Sequence, residues 1–179
     1  MIPRTLVLGL GNVLLRDEGI GVWIAESLRR RWWFPPEVLV IEGGTLGLDL
    51  LPRLDAIERL LLIDAVTVGR EPGSVVRLEG DAVPAALAVK ISPHQIGVQD
   101  LLAVARFSGA EPPRVVLCGM EPERLDPGIG FSPRVRARLS ELEERVLAEL
   151  RDWGILVNPR STVPAPSVWW EEPTVGRLQ

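Results

Sequence analysis

Four residues of this chain have side chains suited to chemistry, and each lies at or near the end of an apolar run. Glu18 follows the run 5–10 after a glycine-rich turn, and Asp64 closes the run 60–63. His94 is the only histidine and Cys118 the only cysteine. Two carboxylates and an imidazole can hold a divalent transition metal and leave a position open for a further ligand. Cys118 with His94 as its base is the competing nucleophilic arrangement. However, Cys118 sits inside the run VVLCG, where a small buried residue is expected, and buried structural cysteines are inert.

The elements that must position these groups begin with GLGNVLLRDEGIG, residues 9–21. A strand precedes it and an apolar-periodic stretch, 20–33, follows as a helix. Strand, glycine turn and helix together normally point to phosphate binding, because the first N–H groups of a helix attract anions. Here Leu14 stands where the dinucleotide fingerprint wants its third glycine. Asp17 and Glu18 at the helix start would repel a phosphate. Asp17 is expected to serve as the N-cap, and either carboxylate suits the helix N-terminus. The functional expectation is a carboxylate held over the C-terminal end of the first strand, where open α/β sheets bind ligands.

The rest of the chain alternates in the same way. Uniformly apolar runs at 6–10, 38–41 and 60–63 read as strands of a parallel sheet covered on both faces, with a short helix over 46–54. Only residues 65–73 separate Asp64 from the next strand-like run, 74–78. A parallel return needs a dozen or more residues, so the fourth strand should run antiparallel and end on the edge opposite Asp64. Residues 80–96, with Pro84 and Pro93, must then climb back irregularly, placing His94 near the top, just before a helix over 98–107 and a fifth strand over 114–118. Glu18, Asp64 and His94 are thereby expected on one edge of the sheet. The last helix has Ser132 as N-cap, Pro133 at N1 and Gly154 just past its end. Val135, Leu139, Leu142, Val146, Leu150 and Trp153 form its apolar stripe, and the intervening charges are expected to face solvent. The domain is expected over 1–158, followed by a Pro-rich tail, 159–179, with Trp169 and Trp170 adjacent. That tail is read either as a cover for the domain or as a recognition surface.

Composition excludes several function classes. The 179 residues carry a net charge of −4, too mild to suggest a nucleic-acid partner. No apolar run is long enough to span a membrane, and the N-terminus lacks a signal-peptide pattern. A single cysteine rules out an internal disulfide framework and suits a reducing cytosol, so a cytoplasmic location is expected. Neither a GxSxG elbow nor a GxxxxGK[ST] loop is present. A nucleotide-binding α/β protein, with Glu42 holding a ribose, is a third reading that the acidic Asp17–Glu18 pair argues against.

GLGNVLLRDEGIGV, EGGT, LLLIDAV, KISPHQIG and GIGFSPRV, in this order and spacing, resemble the [NiFe]-hydrogenase maturation proteases over about residues 6–159. Glu42 stands where many relatives have Asp. The resemblance implies a three-layer α/β/α sandwich with a five-stranded mixed sheet, order 2-1-3-5-4, strand 4 antiparallel. It implies an endopeptidase that removes the C-terminal extension of the hydrogenase large-subunit precursor after nickel insertion. By the same resemblance, Glu18, Asp64 and His94 are the metal-contacting and catalytic residues, engaging nickel carried by the precursor, with no organic cofactor. The family is classed with the aspartic-type peptidases, although not by a two-aspartate mechanism. A monomer is expected. The alternative is a nickel-binding check or chaperone module that recognises the metallated precursor without cutting it.

Overall fold

Alternate residues of the apolar runs bury toward opposite sides, and this alone dictates three layers. In the computed structural model, which describes residues 3–88 and 93–164, the strands are β1 (Thr5–Leu10), β2 (Val38–Gly44), β3 (Arg59–Ala65), β4 (Val75–Glu79) and β5 (Arg114–Met120). On β3, Leu61 and Ile63 join one core, and Leu60 and Leu62 join the other. The helices are α1 (Ile20–Arg31), α2 (Ala82–Ala88), α3 (Pro93–Ser108), α4 (Pro133–Arg136) and α5 (Leu139–Asp152). Ile20, Ile24 and Leu28 of α1 pack in the first core with Leu142, Val146 and Leu150 of α5. Val98, Leu101 and Ala105 of α3 pack in the second with Val83 and Leu87 of α2.

The sheet order is β2-β1-β3-β5-β4, with every pairing parallel except β4 on β5. That is the order 2-1-3-5-4, and the short link 65–73 forces the antiparallel strand. No helix among the described residues is long and apolar enough to cross a membrane.

Several local expectations differ from the structure. The first helix stops at Arg31, not at residue 33. Trp32–Trp33 is extended and pairs antiparallel with Asn158–Pro159, because Trp32 Nε1 donates to Glu143 and the Arg160 guanidinium lies 3.5 Å from the Trp33 ring centre. The helix expected over 46–54 is a 3-10 helix, Leu48–Arg53. The climb over 80–96 contains α2, whose Pro84 falls in the first turn, where no intrahelical N–H bond is lost. The last helix is broken between α4 and α5. Its apolar stripe is buried as expected, but two of its charges are buried as well. Glu143 accepts from Ser27, Arg31 and Trp32, and Glu149 from Arg77 and Arg145. Gly154, at φ 77°, ends α5 in the left-handed turn expected of it. The tail residues Trp169 and Trp170 lie outside the described residues.

Candidate active site

Four glycines let the start of α1 lie directly on the sheet. A Cβ on Gly9 would stand 2.2 Å from the Gly21 carbonyl oxygen, and one on Gly21 would stand 2.0 Å from that of Ile63. Gly11, at φ 126°, touches the Glu18 carbonyl, and Gly19 touches Val13. The glycines therefore serve close backbone approach, bringing the 3-10 turn Arg16–Gly19 onto the C-terminal end of β3.

Five N–H groups of the same turn are already spent on backbone carbonyls and are not held out for a phosphate. Gly11 N–H goes to the Gly44 carbonyl, Leu15 N–H to Asn12, Arg16 N–H to Gly128, Asp17 N–H to Arg124 and Glu18 N–H to Leu15. The Asn12 side chain accepts from Leu14 N–H at 3.0 Å, an Asx turn of the kind asparagine favours. Glu42 is engaged by Arg29 on α1. Burial and the neighbouring Glu26 push its carboxyl above the usual range, against the pull of Arg29. The geometry gives no support to a dinucleotide site.

Glu18 is 2% exposed and Asp64 is fully buried. Both lie at the C-terminal edge of the sheet, Glu18 in the turn after β1 and Asp64 at the penultimate position of the adjacent β3. Asp64 Oδ1 accepts the Ala65 N–H at 2.8 Å, which fixes the carboxylate at its own strand end. The opening turns of α3 meet this edge too. Gly97 touches Gly47, in the turn after β2, so closely that a Cβ on Gly47 would lie 2.7 Å from Gly97 Cα. His94 is in the first turn of α3 rather than before it, and its side chain lies outside the described residues. Among the described residues no group of three His, Cys, Asp or Glu side chains is placed to hold a metal ion.

A family model for hydrogenase maturation proteases, HycI, matches residues 22–149. The chain is 42% identical over 161 residues to the Hydrogenase 2 maturation protease of Escherichia coli (strain K12), covering 89% of this chain and 98% of that protein. It is 41% identical to the hydrogenase expression/formation protein HoxM of Cupriavidus necator, covering 90% and 81%. The chain belongs to the hydrogenase maturation protease family. The structure of the E. coli hydrogenase maturating endopeptidase HybD superposes with a TM-score of 0.84 at 44% identity, covering 88% of this chain and 98% of that one. The [NiFe] hydrogenase maturation protease HybD of Thermococcus kodakarensis gives 0.67 at 27% identity, covering 82% and 98%.

In this maturation protease Cys118 is fully buried on β5. Desolvation, reinforced by the Glu149 charge, pushes its thiol up to about 12. At neutral pH it is a protonated, packed side chain, not a nucleophile.

Asp17 is not the cap of α1. The helix starts from Gly19 with no side-chain cap bond, and the fully buried Asp17 carboxylate instead accepts N–H groups of Glu123, Arg124 and Ser132. Ser132 precedes α4 but makes no side-chain cap bond either. A second buried carboxylate, Glu121 just beyond β5, accepts N–H groups of Val68 and Arg70 and so holds the loop after Asp64. Neither anchor has a local sequence signal. Asp17 reads as a cap because it precedes a helix, and Glu121 is a lone acid after a strand.

Proposed function

We propose that this protease removes the C-terminal extension of a [NiFe]-hydrogenase large-subunit precursor after nickel has been inserted. Glu18, Asp64 and His94 are the residues that act on the substrate: two carboxylates and an imidazole engage the precursor's nickel, which then places the scissile peptide at this edge. Oxygen and nitrogen donors of this kind suit a divalent nickel ion. The nickel belongs to the substrate, and no organic cofactor takes part. The enzyme stands with the aspartic-type peptidases in relying on carboxylates, and it works as a cytoplasmic monomer without nucleic acid or membrane.

One observation carries this reading. In a chain of this protease family, two acids are buried at the C-terminal edge of the sheet, Asp64 near the end of β3 and Glu18 in the turn after the neighbouring β1, and the only histidine lies in the first turn of α3.

The test uses purified precursor, with and without nickel, followed by mass spectrometry of its C-terminus. The wild type should cut only the nickel-loaded form. Glu18→Gln, Asp64→Asn and His94→Ala should fold and leave it uncut, because losing one contact leaves too few to hold the reacting centre in register. Stable binding of loaded precursor by the wild type without cleavage would replace this reading with that of a nickel-checking module.

A further inference from the structure

The turn that carries Glu18 is zipped to the loop after β5, residues 121–132. Arg16 N–H donates to the Gly128 carbonyl at 2.9 Å, Asp17 N–H to Arg124 at 3.2 Å, and Gly128 N–H returns to Leu14 at 2.8 Å. Arg16 is one of two non-glycine described residues in the left-handed region, at φ 51°. Such a conformation persists only where its surroundings impose it. Its guanidinium pairs with Asp126 on the same loop at 3.0 Å.

The Asp17 carboxylate closes this zip. Oδ2 accepts from Glu123 N–H at 3.0 Å and from Arg124 N–H at 2.8 Å, while Oδ1 accepts from Ser132 N–H at 2.7 Å. On the other side, Gly11 presses against the Glu18 carbonyl, where a Cβ would lie 1.8 Å away. The Glu18 main chain is therefore held between the end of β1 and the 121–132 loop, and its immediate neighbour Asp17 supplies the grip on the loop side.

We infer that Asp17 is a positioning residue for Glu18: its buried carboxylate fastens the Glu18 turn to the loop after β5 and so fixes where the Glu18 side chain meets the substrate. This rests on the reading of Glu18 given under Proposed function. Only a carboxylate meets the demand, since both oxygens must accept and an amide offers one oxygen.

Asp17→Asn preserves shape and leaves at least one of the three loop N–H groups without an acceptor, whichever way the amide turns. Amide hydrogen exchange at Glu123, Arg124 and Ser132 should quicken. The kcat for cleavage of nickel-loaded precursor should fall about 10²-fold with KM unchanged, the signature of a group set for the transition state. Glu143→Gln is the matched control. It also strips a buried carboxylate of its charge and disturbs bonds from three donors, but between α1 and α5, so it should lower stability and leave kcat unchanged. Ser132→Pro deletes one donor from the loop side at φ −59°, which proline accepts. It should lower kcat in the same direction, and it serves if Asp17→Asn does not fold.

A wild-type kcat in the folded Asp17→Asn or Ser132→Pro protein, with faster loop exchange, overturns the inference. So do equal losses of kcat in Asp17→Asn and Glu143→Gln, which would make the role merely structural. Normal cleavage by Glu18→Gln is a different failure, that of the Glu18 reading itself.

Discussion

Adding a single methyl group at Gly21 should disable the enzyme at a distance. An alanine Cβ there would stand 2.0 Å from the Ile63 carbonyl oxygen and 2.4 Å from that of Leu10. Both obstacles are backbone in buried strands, so neither can turn aside. A carbon–oxygen contact relaxes only near 3.3 Å, so the start of α1 must retreat from the sheet by about 1.3 Å. Overpacking against backbone belongs at the upper end of its usual range, about 3 kcal/mol. For a chain of this size that lowers Tm by about 6–12 °C. The Glu18 turn is continuous with α1 and moves with it, and a displacement of about 1 Å is enough to cost about 10²-fold in rate. Gly154→Ala provides the comparison, since φ is 77° there but nothing lies within 4 Å. It should cost about 1–2 kcal/mol of stability through backbone conformation alone and leave cleavage untouched. The assay pairs thermal unfolding with single-turnover cleavage of nickel-loaded precursor. A Gly21→Ala protein with native Tm and native rate would refute the close-approach reasoning. Equal rate losses at Gly21 and Gly154 would show that the rate follows global stability and not the position of the turn.

Two further changes probe the buried groups. Cys118→Ala should cleave at the wild-type rate with a stability loss of about 1 kcal/mol, because the buried thiol is protonated at neutral pH. Loss of cleavage in the folded variant would restore the cysteine as a nucleophile. Glu149→Gln removes the charge that Arg77 holds at 2.6 and 2.8 Å and Arg145 at 2.9 Å, and should cost about 3 kcal/mol at pH 7. The hydrogen bonds from Arg77 hold this carboxyl below its usual range in the folded protein. Its stabilisation is therefore complete above the unfolded value of about 4.3 and fades as pH falls through the lower folded value. Urea titrations should show the gap between wild type and variant closing below about pH 4, and a gap independent of pH would contradict the ion-pair account.

The sheet was legible because strands covered on both faces read as unbroken apolar runs, and because residues 65–73 are too few for a parallel crossover. Its strand order was legible only through the family resemblance. Sequence order also put Glu18 and Asp64 at strand ends on one edge, which is where the backbone has them. What stayed hidden depends on partners far along the chain. The donors to Asp17 lie 106, 107 and 115 positions away, while the helix that starts three residues on advertises a cap. Glu143 and Glu149 occupy positions that helical period assigns to water, and donors on other elements, Ser27, Arg31 and Trp32 for the first and Arg77 for the second, meet them inside. Trp32 and Trp33 leave the helix for a partner at 158–160, which no local pattern announces.

The sheet is open, and its outer strands, β2 and β4, could template a sixth strand from another chain. Each is guarded by charge. On β4, Arg77 and Glu79 pair with one another, and Arg114 reaches Glu79 from β5. On β2, Glu42 is tied to Arg29. A foreign strand settling on either edge would have to strip water from these pairs, which edge strands use against aggregation. Charged edges therefore keep the sheet from being extended sideways by an exposed strand of any protein it meets.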